Sequence, residues 1–164
     1  MVWAGNGNDT AAHLEPSRHW SKDAGWWAAM TIFRRDPVAV VVHYSKYERT
    51  EYRKLQKKYP EVATHDEIEA LFTRPRALDL YYDVVKPGSE WPTLDFSIKS
   101  LAKVCGFTWR DSDPSWAASI EWFDRWAKTG DTRIRQRLLD YNEDDCRAMR
   151  LVMEEMKRMA VRTS

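Results

Sequence analysis

The spacing of hydrophobic positions in the first part of the chain predicts one helix followed by one strand. Apolar side chains at helical spacing indicate a helix from Ser21 to Phe33, with Ser21 as its N-cap. Asp36-Pro37 interrupts this pattern, because proline disfavours a helical conformation in the residue before it. The run Val38-Ala39-Val40-Val41-Val42 is then apolar without alternation, which is typical of a strand covered on both faces.

The middle of the chain predicts two further helices and a second, short strand. Charged and apolar residues interleave from Lys46 to Tyr59, which indicates a surface helix. Thr64 and Glu67 have the spacing of a capping box, so another helix is expected to begin there and to run through Phe72. The segment Leu78-Asp79-Leu80-Tyr81 predicts a short strand.

The last third of the chain is predicted to be almost entirely helical. A helix capped by Ser97 ends before Gly106, since glycine favours the conformation found at helix ends. A second helix begins near Asp113-Pro114 and ends at Gly130; its apolar stripe consists of Trp116, Ile120, Phe123 and Trp126. The final helix runs from Thr132 to Met159. Together these patterns predict a helix-rich α/β fold with little sheet.

Length and composition favour one domain. The chain has 164 residues, 43% of them hydrophobic, which is enough to build a core and argues against disorder. We expect residues 1–20 to form a tail or partial strand and residues 21–160 to form the domain. The formal net charge is +1, so any nucleic-acid site must be a local patch. Cys105 and Cys146 form no C-x-x-C pair, which argues against a zinc module and favours reduced thiols over a disulfide.

The sequence carries no signal for export or for a membrane. The longest apolar run, Val38 to Val42, is far shorter than the ~20 residues that span a bilayer, and the amino terminus lacks the features of a signal peptide. We therefore expect a cytoplasmic protein without a membrane partner. The nine tryptophans are expected mainly in the core, with base stacking as the alternative.

The segment from His43 to Glu48 is the first candidate for chemistry. It directly follows the predicted buried strand, and ligands of open α/β sheets gather beyond the carboxyl ends of strands. The alternative is a plain turn in which Glu48 stabilises the start of the next helix through the helix dipole.

The acidic segment from Asp140 to Asp145 is the second candidate. On a helix, Asp145 lies one turn after Tyr141, on the side that is otherwise apolar. A carboxylate that points inward needs a partner, and Mg²⁺ is a natural one. The alternative is a solvated acidic face that pairs with Arg147 and Arg150.

These segments carry a resemblance to a known family. Tyr141 to Met149 resembles the third motif, Tyr-x-x-x-Asp, of the ribonuclease-H-like DEDD exonucleases. His43 to Glu48 is similar to the second motif of their YprB-type (DnaQ-like) domains, which occur with predicted RecB-family nucleases and which carry Glu in place of the usual Asp. Leu78–Tyr81 and Ser97–Phe107 resemble the blocks between these motifs. The resemblance runs from about His19 to Met159 and implies a ribonuclease-H-like exonuclease fold.

The resemblance also implies an activity and its residues. It implies hydrolysis of phosphodiester bonds in DNA or RNA with Mg²⁺ or Mn²⁺, by a two-metal DEDDy-type mechanism of the 3'-5' exonuclease kind. By position, Asp145 and Glu48 would bind metal, Asp144 would be a neighbouring ligand, and Tyr141 would orient the attacking water. Asp79 is a candidate by family position, with a structural role at its strand end as the alternative. The candidate nucleic-acid contacts, with solvated surface positions as the alternative, are Tyr47, Lys54, Lys99 and Lys103.

The sequence departs from this family in the first motif. No Asp-x-Glu occurs in the 164 residues, so we expect the fold to be incomplete at its amino terminus and the missing carboxylates to come from another chain or domain. The alternative function is a degenerate, non-catalytic module that binds nucleic acid or protein in a larger nuclease assembly. Self-association through exposed apolar surface is a third hypothesis. The candidate phosphate patch, with a solvated helix face as the alternative, consists of Arg34, Arg35, Arg49, Arg53, Lys54, Lys57 and Lys58.

Overall fold

The computed structural model describes residues 3–5, 22–112 and 115–162, and the chain divides into two compact units. The first unit, within residues 2–83, contains β1 (Trp3–Gly5), α1 (Lys22–Arg35), β2 (Val40–His43), α2 (Tyr47–Lys58), α3 (His65–Leu71) and β3 (Ala77–Asp79). The second unit, within residues 84–164, contains α4 (Lys86–Gly88), α5 (Ile98–Val104), α6 (Trp116–Thr129) and α7 (Thr132–Arg162). A π-helical stretch, Leu80–Val85, spans the boundary between them.

The strands of the first unit form a three-stranded sheet in the order β1-β2-β3. β1 pairs antiparallel with β2, and it lies in the segment for which a tail or partial strand is expected. β2 pairs parallel with β3, with His43 opposite Asp79, so the carboxyl ends of both strands lie side by side. This register brings the segments that follow the two strands to one edge of the sheet, where sites in α/β proteins commonly form.

The predicted buried strand is confirmed, but its start is shifted. Val41, Val42 and His43 are buried, whereas Val38 is 85% exposed and precedes the strand. The reason is a turn: the Ala39 N–H donates to the Asp36 carbonyl oxygen at 3.3 Å and to its carboxylate at 3.1 Å. The break predicted at Asp36-Pro37 therefore extends by two residues into the apolar run.

The core of the first unit lies between the helices and β2. The capping box at Thr64 is present, with the Glu67 N–H donating to Oγ1 of Thr64 and the Thr64 N–H donating to the Glu67 carboxylate. On α1, the apolar side chains of Trp26, Met30 and Phe33 are buried, whereas that of Trp27 is 45% exposed. The buried core residues are Trp26, Met30, Phe33, Val41, Val62, Ala63, Ile68, Leu71 and Phe72.

In the second unit, α5 and α6 pack against the long helix α7. Ser97 caps α5 as predicted, by accepting a hydrogen bond from the Ser100 N–H at 3.2 Å. α6 is capped by Ser115, while the predicted start at Asp113-Pro114 lies outside the described residues. Gly130 ends α6 in the left-handed conformation, with φ of +66°. Among the described helices, none combines the length and apolar character that a membrane span requires.

The buried faces of α6 and α7 differ in how well the sequence predicts them. On α7, Tyr141, Met149 and Val152 are buried, which confirms the predicted apolar side. On α6, Trp122 is buried, whereas Ile120 and Phe123 of the predicted stripe are 46% and 43% exposed. Aromatic and aliphatic residues occur all around α6, so that spacing alone does not identify the face that meets α7.

Candidate active site on helix α7

Side chains from α5, from α7 and from the segment after α5 meet in one hydrogen-bonded cluster. Tyr141 and Asp145 lie one turn apart on the same face of α7. Lys99 of α5 donates from Nζ to the Tyr141 hydroxyl oxygen at 3.1 Å. Trp109 donates from Nε1 to Asp145 Oδ1 at 2.8 Å. We call these four residues the α7 site.

The side chains of the α7 site are buried or half-buried, and the lysine among them contacts two aromatic rings. Tyr141 is 7% exposed, and Lys99 and Asp145 are half-buried. The Lys99 ammonium lies 4.9 Å from the centroid of the Tyr141 ring and 5.9 Å from that of Trp109, in the range of cation–π attraction. The lysine charge is therefore positioned against two aromatic rings and near the Asp145 carboxylate.

The electrostatics of the α7 site follow from partial burial. Burial, followed by the charge of Asp145, raises the pKa of Tyr141 to about 12, so its phenol keeps its proton at neutral pH and can donate it. Burial also raises the pKa of Asp145, while the Trp109 hydrogen bond, the Lys99 charge and the Tyr141 hydroxyl act in the opposite direction. The Tyr141 hydroxyl thus accepts from Lys99 and lies near the Asp145 carboxylate.

The Tyr141 ring also contacts a second group of side chains. Trp122 of α6 meets Tyr141 edge to face, with 5.9 Å between the ring centroids. The Arg137 guanidinium lies 3.8 Å from the centroid of Trp122 and forms an ion pair with Asp111. Rings packed in this way have few alternative rotamers, so the orientation of the Tyr141 hydroxyl is set before any ligand arrives.

The neighbouring carboxylate of Asp144 is engaged by Arg110. Asp144 is 2% exposed, and it accepts from the Arg110 backbone N–H at 2.8 Å and from Nε at 2.9 Å. The same guanidinium also reaches Glu143 at 2.7 Å and Asp140 at 3.2 Å. The hydrogen bond with Asp144, followed by the contacts with Glu143 and Asp140, raises the pKa of Arg110. Asp144 therefore fixes the position of Arg110, and with it that of Trp109, the residue before it in the chain.

Sequence reasoning missed Trp109 and Arg110, for which no local signal exists. They are separated from their partners on α7 by 36 and 34 residues, in a segment without regular structure. One indirect signal was present, since the acids from Asp140 to Asp145 require a cation and a buried carboxylate requires hydrogen-bond donors. Of the two arginines that the alternative named as partners, Arg147 binds Glu143 at 2.8 Å, whereas Arg150 binds Glu154 at 3.1 Å, outside that segment.

Glu48, the other predicted metal ligand, belongs to the first unit. It lies in the first turn of α2 and is 7% exposed. Together with burial, which is the larger cause, its charge raises the pKa of Tyr52 to about 12. A buried glutamate directly after a strand–turn segment agrees with the position that the second motif predicts, and its role in metal binding stays a prediction.

The predicted nucleic-acid contacts lie in different surroundings. Lys99 is part of the α7 site, and Lys103, one turn later on α5, is exposed. Tyr47, at the start of α2, is 53% exposed. Lys54 is exposed and forms an ion pair with Glu51 at 2.7 Å.

The candidate phosphate patch is largely neutralised by acidic neighbours. Arg49 and Arg53 of α2 both bind Glu69 of α3, and these two hydrogen bonds lower the pKa of Glu69 to about 2. Arg34 of α1 binds Glu67 at 2.9 Å. These arginines therefore join helices within the first unit, a structural role that leaves less of their charge for phosphates.

The donor set of the α7 site suits a hard cation at Asp145 better than at Asp144. A carboxylate offers about four acceptor positions, and the hydrogen bond from Trp109 uses one of those on Asp145. Carboxylate oxygens are the ligands that Mg²⁺ takes from proteins, so Asp145 fits this role. Coordination by Asp144 would require the ion pair with Arg110 to open. No cluster of three potential ligands occurs within residues 3–5, 22–112 and 115–162.

A comparison with protein families matches almost the whole chain. The family model described as the RNase_H superfamily covers residues 2–157. The chain belongs to the RNase H superfamily. The predicted ribonuclease-H-like character and α/β class are thereby confirmed at the level of the superfamily. Searches of curated proteins and of solved structures returned no match.

Proposed function

We propose that this RNase H superfamily protein is a nuclease of the DEDDy type that hydrolyses phosphodiester bonds of DNA or RNA at the α7 site. The observation that carries the proposal is the pair of Tyr141 and Asp145, four residues apart on one helix, with the Lys99 ammonium bound to the tyrosine hydroxyl and the Trp109 indole bound to the carboxylate. A neutral phenol, a carboxylate and a cation close together form an arrangement suited to a water nucleophile and a phosphate.

Each group of the α7 site has a chemical task in this proposal. Asp145 would hold Mg²⁺ or Mn²⁺, which when bound activates water and stabilises charge on the phosphate. Tyr141 keeps its proton at neutral pH and can orient the attacking water through its hydroxyl group. Lys99 positions that hydroxyl and adds positive charge where phosphate oxygens develop negative charge. Glu48 is assigned as a further metal ligand on the resemblance alone.

Hydrolysis of labelled oligonucleotides tests the proposal. Single- and double-stranded DNA and RNA are incubated with Mg²⁺ or Mn²⁺, and the products are separated on denaturing gels to reveal the polarity of cleavage. Asp145→Asn should lower the rate by about a hundredfold or more, because it removes the charge while keeping an oxygen for Trp109. Glu154→Gln is the matched control, since it removes an acid of α7 that pairs with Arg150 on the surface.

Equal hydrolysis by the wild-type protein and Asp145→Asn would contradict the proposal. Calorimetric titration of Mn²⁺ into the wild-type protein, Asp145→Asn and Glu48→Gln tests the two ligand assignments separately. Each variant is expected to weaken metal binding, and an unchanged Glu48→Gln titration would remove Glu48 from the metal site. Binding of oligonucleotides without any hydrolysis would instead support the non-catalytic module.

A further inference from the structure

A cluster of aromatic and basic side chains lies at the carboxyl ends of β2 and β3, in the first unit. Tyr44 follows β2, and its ring centroid is 5.6 Å from that of Tyr81, which follows β3. Tyr81 meets Tyr82 edge to face at 4.7 Å. The Lys46 ammonium lies 5.3 Å from the centroid of the Tyr82 ring. We call Tyr44, Lys46, Tyr81 and Tyr82 the tyrosine surface.

One carboxylate holds both halves of the tyrosine surface in place. Oδ1 of Asp79 accepts from the backbone N–H of Ser45 at 2.9 Å and from those of Tyr81 and Tyr82 at 3.1 Å. Because these N–H groups belong to the two segments that carry the tyrosines, the backbones of these segments are joined to each other through Asp79. Asp79 is therefore a positioning residue, which agrees with the structural role considered for it at its strand end.

The backbone next to the tyrosine surface is strained. Ser45 has φ of +68°, in the left-handed region that residues other than glycine rarely adopt. Two contacts hold it there: its N–H donates to Asp79, and its carbonyl oxygen accepts from Nδ1 of His43 at 2.9 Å. A strained residue that the surrounding structure stabilises at the end of a strand is typical of a ligand-binding segment.

The tyrosine surface is accessible to a ligand. Tyr82 is 40% exposed, Lys46 is exposed, and Tyr44 and Tyr81 are half-buried. Exposed aromatic rings beside a cation complement a flat π-system that carries a negative group, and a nucleotide has both parts. A bound base would stack on an aromatic ring while its phosphate meets the lysine.

We propose that the tyrosine surface binds an unpaired nucleotide of single-stranded DNA or RNA, with the base stacked on Tyr82 and the phosphate at Lys46. This inference rests on the proposed function for the class of its ligand, since it specifies how the first unit recognises a nucleic-acid substrate. It uses no residue of the α7 site, so binding at the tyrosine surface can be measured without hydrolysis.

Fluorescence anisotropy of short labelled oligomers tests the proposal. Oligothymidylate, oligouridylate and an abasic oligomer of the same length are titrated with the full chain in the presence of a chelator, which prevents hydrolysis. Tyr82→Ala should weaken binding of the two base-containing oligomers by roughly tenfold, in the range of one lost base–aromatic stack, and should not change binding of the abasic oligomer. Tyr82→Phe should retain wild-type affinity because it keeps the ring.

Lysine variants test the phosphate contact against a matched control. Lys128, in the last turn of α6, is also exposed and belongs to neither the tyrosine surface nor the candidate phosphate patch, so it is the control. Lys46→Ala should weaken binding and lower the dependence of log affinity on log salt by about one phosphate contact, whereas Lys128→Ala should leave both unchanged. Thermal melts of all variants verify that each of them is folded.

The outcomes separate the tyrosine surface from the proposed function. Unchanged binding by Tyr82→Ala, equal losses for Lys46→Ala and Lys128→Ala, or no oligomer binding by the wild-type protein would each overturn the tyrosine surface, even where Asp145→Asn abolishes hydrolysis. Selective losses in Tyr82→Ala and Lys46→Ala would support the surface, even where hydrolysis proves independent of Asp145. A preference between oligothymidylate and oligouridylate would show which nucleic acid the surface favours.

Discussion

Lys99 acts at the α7 site through the Tyr141 hydroxyl group. Its ammonium donates to the hydroxyl oxygen, so the phenolic proton must point to another acceptor, and the Asp145 carboxylate lies nearby. The lysine therefore restricts the directions in which the hydroxyl can donate, in addition to the charge that it brings.

Lys99→Met is expected to lower the rate of hydrolysis by about ten- to hundredfold, the equivalent of one hydrogen bond to a charged group. Methionine keeps much of the side-chain length and packing, so the fold should be retained. The measurement is kcat on a labelled oligonucleotide, with Lys103→Met as the control because Lys103 is the exposed lysine one turn later on α5. Similar losses in both variants would indicate a general charge effect instead.

Asp144, which the sequence suggested as a metal ligand, forms an ion pair with Arg110 in the structure. Its two hydrogen bonds to Arg110 join α7 to the segment that carries Trp109. Asp144→Asn is expected to lower the free energy of unfolding by about 2 kcal/mol, because a buried group loses its charge-assisted bonds while Arg110 keeps other acidic partners.

Urea denaturation without metal measures the effect of Asp144→Asn. Glu143→Gln serves as the control, since it removes a more exposed partner of the same guanidinium and should cost less than about 1 kcal/mol. Equal stability of the Asp144→Asn variant and the wild-type protein would mean that Arg110 does not depend on this carboxylate, and it would favour a ligand role for Asp144.

At the scale of elements, ion pairs join the helices of the first unit. Glu69 of α3 forms ion pairs with Arg49 and Arg53 of α2. Glu67 of α3 forms an ion pair with Arg34 of α1. Residues that the sequence suggested as a phosphate patch thus connect α1 and α2 to α3. Acidic residues on one helix opposite arginines on two others favour one packing arrangement over alternatives with unpaired charges.

Glu69 makes the stability of the first unit depend on pH in a defined direction. Its pKa is lowered from 4.5 to about 2 by hydrogen bonds from Arg53 and Arg49. Because this pKa is lowered in the folded state, the contribution of Glu69 to the free energy of unfolding is fully present above about pH 4.5. This contribution is lost as the pH falls toward 2.

Glu69→Gln should therefore destabilise the protein at neutral pH by about 1 kcal/mol, a value discounted because both arginines are partly exposed to solvent. The difference in free energy of unfolding between Glu69→Gln and the wild-type protein should become smaller as the pH falls from about 4.5 toward 2. Chemical denaturation at a series of pH values measures it, and a difference that stays constant down to the lowest pH would contradict the assignment.

At the scale of the whole molecule, the RNase H superfamily assignment covers both compact units. Each unit carries one of the two motifs that the sequence singled out: the first holds the segment from His43 to Glu48, and the second holds the segment from Tyr141 to Asp145. The proposed functions divide in the same way, with hydrolysis at the α7 site and nucleotide binding at the tyrosine surface.

Local patterns predicted most of the helices correctly because the forces that begin and end a helix act within a few residues. Thr64, Ser97 and Gly130 perform the capping roles expected of them. Errors arose where a distant neighbour decides the outcome. The packing of α6 against α7 buries Trp122 and leaves Phe123 exposed, although neighbouring residues on α6 are equally apolar.

The sequence by itself determined that Tyr141 and Asp145 share a helix face, because residues four apart on a helix are always neighbours. Only the tertiary structure decided what surrounds them: Lys99 lies 42 residues from Tyr141 in the chain, and Trp109 lies 36 residues from Asp145. Likewise, only the parallel pairing of β2 with β3 brings Tyr44 to Tyr81. Spacing rules describe a single helix or strand, whereas contacts between elements depend on how the whole chain packs.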